Sequence, residues 1–124
     1  MVTVASIFGD SHLKHIRLVT PQTTKGCQDC IAAGTRWVHL RLCLSCGHVG
    51  CCDSSPAQHA SAHAADSAHP IVQSFEPGET WFWNYETQGY YDGPELAAPD
   101  AHPVDQTTPG PSDRVPADWR MHLH

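Results

Sequence analysis

The sequence predicts a small α+β domain with a short, twisted, antiparallel-rich sheet and one main helix. Apolar and polar residues alternate along short segments, as they do in half-buried strands. A Ser-Ser-Pro sequence precedes an alanine-rich run, which is typical of a helix start. Closely spaced cysteine and histidine residues, the side chains that bind structural zinc, lie among these segments. We therefore expect zinc to stabilise a core that is otherwise marginal for its size.

The first strand is predicted at Trp37–Leu42, because polar and apolar residues alternate there with period two. This alternation would place Trp37, His39 and Arg41 on one face of the strand. The apolar residues Val38, Leu40 and Leu42 would lie on the other face. His39, like His48, is expected to be an ordinary surface or loop histidine.

The main helix is predicted to start at Ser54-Ser55-Pro56, with a serine as N-cap and the proline at the first helical position. It would then run to about Ala65. Within it His59 and His63 are four residues apart, so they project from one helical face. Spacing alone therefore favours binding of one metal ion by both histidines.

Two more strands are predicted at residues 71–75 and 80–85, separated by a turn at residues 76–79. In the second of these strands Trp81, Trp83 and Tyr85 share one face by alternation. Together with the first strand they form the short sheet.

Composition divides the chain into three segments. Residues 1–26 form a leader, residues 27–91 form the core, and residues 92–124 form a tail rich in proline and aspartate. The tail has few clustered apolar residues, so it cannot bury enough surface to offset the entropy of ordering. We expect it to be disordered.

The charge and hydropathy of the chain exclude several classes of function. The formal net charge is -6 with only 7 lysines and arginines, which argues against nucleic-acid binding because cationic side chains carry most of that affinity. No apolar run approaches the roughly 20 residues of a membrane span. Charged residues such as Lys14 and Arg17 interrupt the leader, so a cytoplasmic location is expected. The alternative is a secreted domain held by disulfides.

The core contains enough cysteines and histidines for two tetrahedral zinc ions. Two Cys-x-x-Cys pairs are separated by twelve residues, and a further cysteine and three histidines follow. Cys52 is left over and is expected to be a small packed residue. The eight candidate ligands are Cys27, Cys30, Cys43, Cys46, Cys51, His59, His63 and His69.

These ligands, together with Trp37, Gly47, Gly50, Pro70, Trp83 and Tyr85, resemble the UBP-type zinc finger of ubiquitin-specific proteases and related deacetylases. The Cys51–Pro56 sequence is similar to the small stand-alone bacterial members of that family. The resemblance implies two interleaved zinc sites. It assigns Cys27, Cys30, Cys51 and His59 to one ion, and Cys43, Cys46, His63 and His69 to the other.

The resemblance also implies an aromatic slot that grips the C-terminal Gly-Gly of ubiquitin. Where the family places an arginine for the terminal carboxylate, this chain has Asp53, so Arg36 or Arg41 would have to supply the cation. The third zinc site of some members is absent, because its cysteine positions hold Asn84 and Thr87. The expected slot residues are Trp37, Arg41, Trp83, Tyr85 and Tyr90.

The expected function is that of a non-catalytic zinc-binding module that recognises a protein or peptide C-terminus, for example that of a ubiquitin-like protein. An enzyme is disfavoured because eight ligands fill two zinc sites, whereas a catalytic zinc keeps an open position. The alternative is a redox- or zinc-responsive protein, because clustered thiolates release zinc when they are oxidised.

Overall fold

The computed structural model describes residues 16–76, 79–92, 110, 114–118 and 121. In this part of the chain the helices are α1 (Gln28–Ala33) and α2 (His59–Ser67). The strands are β1 (Leu40–Cys43), β2 (Val49–Cys51), β3 (Ile71–Ser74), β4 (Trp81–Asn84) and β5 (Gly89–Asp92). They form one sheet in the order β2-β1-β3-β4-β5, with every neighbouring pair antiparallel. The predicted α+β class is confirmed.

One face of the sheet carries the hydrophobic core. The register aligns Leu42 with Val49 on one side and with Gln73 on the other, and Gln73 in turn with Phe82. Because residues paired across antiparallel strands point to the same face, these side chains form one layer. Leu42, Val49 and Phe82 are fully buried in it, and Ile16 of the leader packs against it.

The opposite face of the sheet is divided between α2 and a set of aromatic side chains. Gly50 of β2 approaches the backbone of Ala60 in α2 so closely that a Cβ at Gly50 would lie 2.8 Å from the Ala60 nitrogen. The helix therefore lies over this end of the sheet. Farther along the same face, Trp83 pairs with Tyr90, and Tyr90 remains 67% exposed.

Strand β1 begins at Leu40, three residues later than predicted. The preceding residues bond to the loop after β2 instead of forming a ladder: the Val38 N–H donates to Ser55 Oγ at 2.8 Å, and the Cys52 N–H donates to the His39 carbonyl at 2.9 Å. Trp37 forms an isolated antiparallel bridge with Gly110. Trp37 therefore lies outside the strand, and the predicted period-two alternation does not extend to it. Its side chain is buried, with only 3% of its surface exposed.

The start of the main helix also differs from the prediction. Helix α2 begins at His59, after Gln58 in a left-handed conformation that gives no side-chain cap. Ser55 is not an N-cap, because its buried hydroxyl accepts the Val38 hydrogen bond. Starting at His59 lets the backbone N–H of that residue donate to Cys51 Sγ at 3.2 Å. The metal ligands rather than the Ser-Pro sequence therefore determine where this helix starts.

Helix α1 and strands β2 and β5 were not predicted, because each is short. In α1 the N-cap is Cys27, whose sulfur accepts the Cys30 N–H, and Gly34 ends the helix in a left-handed conformation. The two flanking strands have only three and four residues. Each element is stabilised by its neighbours more than by its own sequence pattern.

Parts of the leader and the tail contact the core. Arg17 donates its backbone N–H to the Leu44 carbonyl at 2.8 Å. In the tail, Arg114 Nη1 donates to the carbonyls of Cys30 at 3.2 Å and Thr35 at 2.9 Å, at the end of α1. Residues 93–109, which carry most of the predicted disorder, lie outside the described residues, as do Pro77 and Gly78 of the predicted turn. Among the described residues, no helix is both long and apolar enough to cross a membrane.

Replacement of Gly50 by alanine is expected to lower the free energy of unfolding by about 1–3 kcal/mol, the usual cost of overpacking. The new methyl group would meet backbone atoms of Ala60 at 2.8 and 2.9 Å, so α2 would have to move. Chemical denaturation of the zinc-loaded protein measures this loss. Gly89→Ala is the matched control, because its Cβ would meet side-chain atoms at 3.5 Å or more. Equal stability of the two variants would show that the contact with α2 is not tight.

Candidate functional site

The first zinc cluster brings together the start of α1, the end of β2 and the start of α2. Cys27 is the N-cap of α1 and Cys30 lies in that helix, Cys51 ends β2, and His59 is the first residue of α2. The His59 Nδ1 atom lies 3.4 Å from Cys27 Sγ, 3.3 Å from Cys30 Sγ and 3.6 Å from Cys51 Sγ. The Cys30 and Cys51 sulfurs are 3.8 Å apart. Three of the four ligands are fully buried.

The second cluster also takes one of its ligands from α2. Cys43 ends β1, Cys46 follows in the turn before β2, His63 is on α2, and His69 lies between α2 and β3. His63 Nε2 is 3.3 Å from Cys46 Sγ, and His69 Nδ1 is 3.6 Å from Cys43 Sγ. Cys46 and both histidines are partly exposed, so solvent reaches this cluster more easily than the first.

Both clusters have the dimensions of a tetrahedral zinc site. In a tetrahedral site, zinc bond lengths of about 2.3 Å to sulfur and about 2.0 Å to nitrogen place two sulfur ligands about 3.8 Å apart. They place a sulfur and a nitrogen ligand about 3.5 Å apart. The separations of the first cluster, 3.8 Å and 3.3–3.6 Å, agree with both values. Within each cluster all four ligand atoms lie within 4.8 Å of one another. The residues therefore fit two zinc ions.

The observed partition of the ligands is the interleaved one that the family resemblance implied. His59 and His63 belong to different clusters although they are one helical turn apart. The expectation from spacing alone, that they bind the same ion, is wrong. His59 contributes Nδ1 to one cluster and His63 contributes Nε2 to the other, so α2 connects the clusters.

Thiolates this close together repel one another, so a cation is needed to keep all of them ionised at once. Hydrogen bonds from Cys27 and then from Cys51 lower the pKa of Cys30, whereas contacts with Cys30 and then with Cys51 raise the pKa of Cys27 far above its usual range. Burial raises the pKa of Cys43 to about 11. Bound zinc supplies the positive charge that keeps coordinating thiols deprotonated. With neutral histidines, the three-thiolate cluster carries a net negative charge and the two-thiolate cluster is neutral.

His48 supports the second cluster without being a ligand. Its ring stacks on His63 with centroids 4.0 Å apart and planes 6° from parallel, and its Nε2 donates to Asp29 Oδ2 at 2.6 Å. His48 lies in the loop before β2, which agrees with the loop part of the expectation, but it is only 7% exposed and is therefore not a surface histidine. Such contacts orient ligand rings and are important for metal affinity. Sequence reasoning missed the pair because Asp29 is 19 residues away in the chain.

Cys52 lies next to a ligand in sequence but outside both clusters. It is buried at 4% exposure, and its sulfur lies 3.7 Å from Ser55 Oγ. Because consecutive strand residues point to opposite sides, Cys51 faces the first cluster and Cys52 does not. The expectation that Cys52 is a small packed residue agrees with this placement.

A cavity of about 270 Å³, here called the aromatic slot, opens on the same face of the sheet as α2, in the part that the helix does not cover. Its aromatic rings are close together: Trp83 and Tyr90 have centroids 4.5 Å apart, and Trp81 and Tyr90 meet edge to face at 5.1 Å. The guanidinium of Arg41 lies 4.5 Å from the centre of the Trp81 ring. The slot is lined by Arg41, Cys52, Asp53, Ser54, Trp81, Trp83, Tyr85 and Tyr90.

The structure brings together four of the five residues expected in the slot. Arg41, Trp83, Tyr85 and Tyr90 line it, and Trp81 completes it. Trp37 is elsewhere, in the core, where its ring lies against Gly26 so closely that only a residue without a Cβ fits there. Trp37 does not reach the slot because the strand that would have placed it there starts only at Leu40.

The two clusters and the open aromatic face define a zinc-binding module of small size. Residues 27–96 match the family described as "Zn-finger in ubiquitin-hydrolases and other protein". This match covers more than half of the chain, which therefore belongs to the UBP-type zinc-finger family.

A solved structure is similar to this chain over most of its length. The chain is similar to protein RPA1320 from Rhodopseudomonas palustris, whose structure was determined by solution NMR, with 42% sequence identity and a TM-score of 0.68. The likeness covers 79% of this chain and 95% of that protein. No curated protein matches the chain.

Replacement of Cys51 by serine is expected to remove one of two zinc ions per chain and to abolish cooperative unfolding of the folded domain. Structural zinc contributes about 10–16 kcal/mol of apparent binding free energy, which is larger than or comparable to the stability of a typical domain. Zinc per chain, measured by native mass spectrometry, and a denaturation curve test this. Cys52→Ser is the matched control and should retain two zinc ions, because Cys52 is outside both clusters. Zinc loss from the Cys52 variant instead would contradict the ligand assignment.

Proposed function

We propose that this zinc module is a non-catalytic binding domain that recognises the C-terminal end of a protein or peptide in the aromatic slot. Each cluster supplies four protein ligands, which is the closed set typical of structural zinc. In this proposal zinc holds the sheet and α2 in place, and the aromatic slot makes the contact with the partner.

The observation that carries the proposal is the position of Arg41. Its guanidinium is held by the Trp81 ring at 4.5 Å and by a hydrogen bond from Nη1 to the Leu40 carbonyl at 3.0 Å. Two restraints on one side chain reduce the entropy that is lost when a ligand binds. An arginine presents its N–H donors as a planar fork that matches a carboxylate. Arg41 is therefore a preorganised cation at the slot.

The aromatic walls supply the rest of the recognition. Exposed tryptophan and tyrosine side chains are enriched at binding sites because they bury a large area at little conformational cost. Trp83 and Tyr90 are 4.5 Å apart with a 58° tilt, and Tyr90 is mostly exposed. A cavity of about 270 Å³ between such rings accommodates a narrow chain end, and glycine is the narrowest. A tail that ends in Gly-Gly, as ubiquitin-like proteins have, is one partner of this chemistry.

Asp53 also lines the slot, and its carboxylate would repel a terminal carboxylate. Asp53 is exposed, so water and salt weaken that repulsion. Arg41 is the partly buried charge of the two, and a partly buried charge acts more strongly on a bound ligand. We therefore place the terminal carboxylate at Arg41 and away from Asp53.

The redox-responsive alternative is less well supported by the burial of the thiols. All six cysteines are among the described residues, and five of them are buried. Oxidants react with accessible thiolates. Only Cys46 is partly exposed, whereas the aromatic slot is open to solvent. These placements favour recognition of a partner as the main function.

The test is an NMR titration of the zinc-loaded protein with a five-residue peptide ending in Gly-Gly, either as the free acid or as the C-terminal amide. The free acid is expected to shift the Trp81 and Trp83 indole signals and to bind at least about tenfold more tightly than the amide, because a charge-assisted hydrogen bond contributes about 1.5–3 kcal/mol. Arg41→Ala should remove this preference. Arg17→Ala removes the same charge outside the slot and should keep it.

Both variants must retain two zinc ions, so that a loss of binding is not a loss of folding. Equal affinity of the wild-type protein for acid and amide would refute recognition of the carboxylate. Binding of neither peptide would refute the proposed C-terminal ligand.

A further inference from the structure

The C-terminal tail returns to the core at the loop between α1 and β1. The Trp37 N–H donates to the Gly110 carbonyl at 2.6 Å, and the Gly110 N–H donates to the Trp37 carbonyl at 3.0 Å. Gly110 is buried by this contact. Residues 110 and 114–118 are called the tail strap below.

Arg114 fixes the tail strap to the end of α1. It is half-buried, and its Nη1 atom donates to the carbonyls of Cys30 and Thr35. The last carbonyls of a helix form the negative end of its dipole, so a guanidinium is favourable there. Hydrogen bonds from a charged donor are also stronger than neutral ones. Because α1 has only six residues and such a short helix is marginal alone, this cap contributes a large part of its stability.

The loop that the strap holds surrounds the α1 ligands of the first cluster. Cys30, whose carbonyl accepts from Arg114, is itself a ligand. The Trp37 ring lies against Gly26, which precedes the ligand Cys27, so closely that a Cβ at Gly26 would lie 2.3 Å from it. Both cysteines are fully buried. The strap therefore fixes the backbone on which two of the four ligands depend.

The second cluster depends on other parts of the chain. Its ligands come from the end of β1, the turn that follows, α2 and the segment before β3. The four hydrogen bonds that Gly110 and Arg114 make with the core are all to residues 30–37 and not to these ligands. The second cluster is thus an internal reference for any effect of the strap on the first.

We propose that the tail strap retains the metal of the first cluster by keeping α1 closed over it. A chelator or a competing metal-binding protein reaches fully buried ligands only when the domain opens locally. Helix α1 is the shorter of the two described helices, so it is the part of the first cluster that opens. Release of the strap exposes Cys27 and Cys30. This proposal concerns the lifetime of the metal site and does not depend on the ligand of the aromatic slot.

The test measures the rate of zinc loss to EDTA from the full chain, with Arg114→Gln and Gly110→Pro as separate variants. The NMR signals of the His59 ring follow the first cluster, and those of the His69 ring follow the second. Arg114→Gln loses the charged donor and is expected to release the first zinc about tenfold faster. Gly110→Pro loses the N–H that donates to Trp37 and should release it about threefold faster. Loss from the second cluster should stay within about twofold of the wild-type rate.

Arg17→Gln is the matched control for the change of charge. Arg17 is exposed and contacts the core through its backbone N–H, which glutamine keeps, so this variant should lose zinc at the wild-type rate. Amide hydrogen exchange gives a second readout. Exchange at the Trp37 N–H, which Gly110 protects, should become faster in Arg114→Gln and remain unchanged in the control.

The outcomes separate retention at one site from stability of the whole domain. Faster zinc loss from the first cluster alone, together with faster exchange at Trp37, supports the strap. Wild-type rates of zinc loss in both strap variants would overturn the proposal. Equal acceleration at both clusters would overturn it too, as would variants that are purified without either zinc ion, because the strap would then stabilise the whole domain.

Discussion

Coordination of zinc by two interleaved ligand sets is the constraint on which the rest of this structure depends. The first ligand set joins α1 to the end of β2 and the start of α2, and the second joins β1, the following turn and the middle of α2. Helix α2 therefore belongs to both sites through His59 and His63. Because the two sites share a helix, displacement of that helix would disturb both ions at once.

This arrangement explains how so small a domain can leave large aromatic side chains exposed. Most domains of this size must use their aromatic residues to build a core. Here metal coordination holds one end of the sheet, and aliphatic residues such as Leu42 fill the core layer with Phe82. Trp83 and Tyr90 are then available on the opposite face. The stability of the fold and the chemistry of the slot thus depend on different residues.

The ligands and the fold class could be predicted because zinc requires particular residue types at short spacing, and alternation marks the longer strands. The position of Trp37 and the residue at which α2 starts could not be predicted from the sequence. The segment that follows Trp37 is held by Ser55, whose hydroxyl accepts a hydrogen bond from Val38 seventeen residues away. The start of α2 is held by a hydrogen bond from the His59 N–H to Cys51 Sγ. The His48–Asp29 pair escaped prediction for the same reason, because a contact between distant residues leaves no local pattern. Arg41 was anticipated at the slot, although its stacking on Trp81 required the pairing of β1, β3 and β4.

X-ray absorption spectroscopy at the zinc edge tests the central claim most directly. Two ions bound by the five cysteines and three histidines of the two clusters predict an average of about 2.5 sulfur ligands at about 2.3 Å and about 1.5 nitrogen ligands at about 2.0 Å per zinc, with two zinc ions per chain. A single zinc ion per chain would contradict the account. So would an average of three sulfurs and one nitrogen, which would bring Cys52 into the coordination and break the partition on which the position of α2 depends.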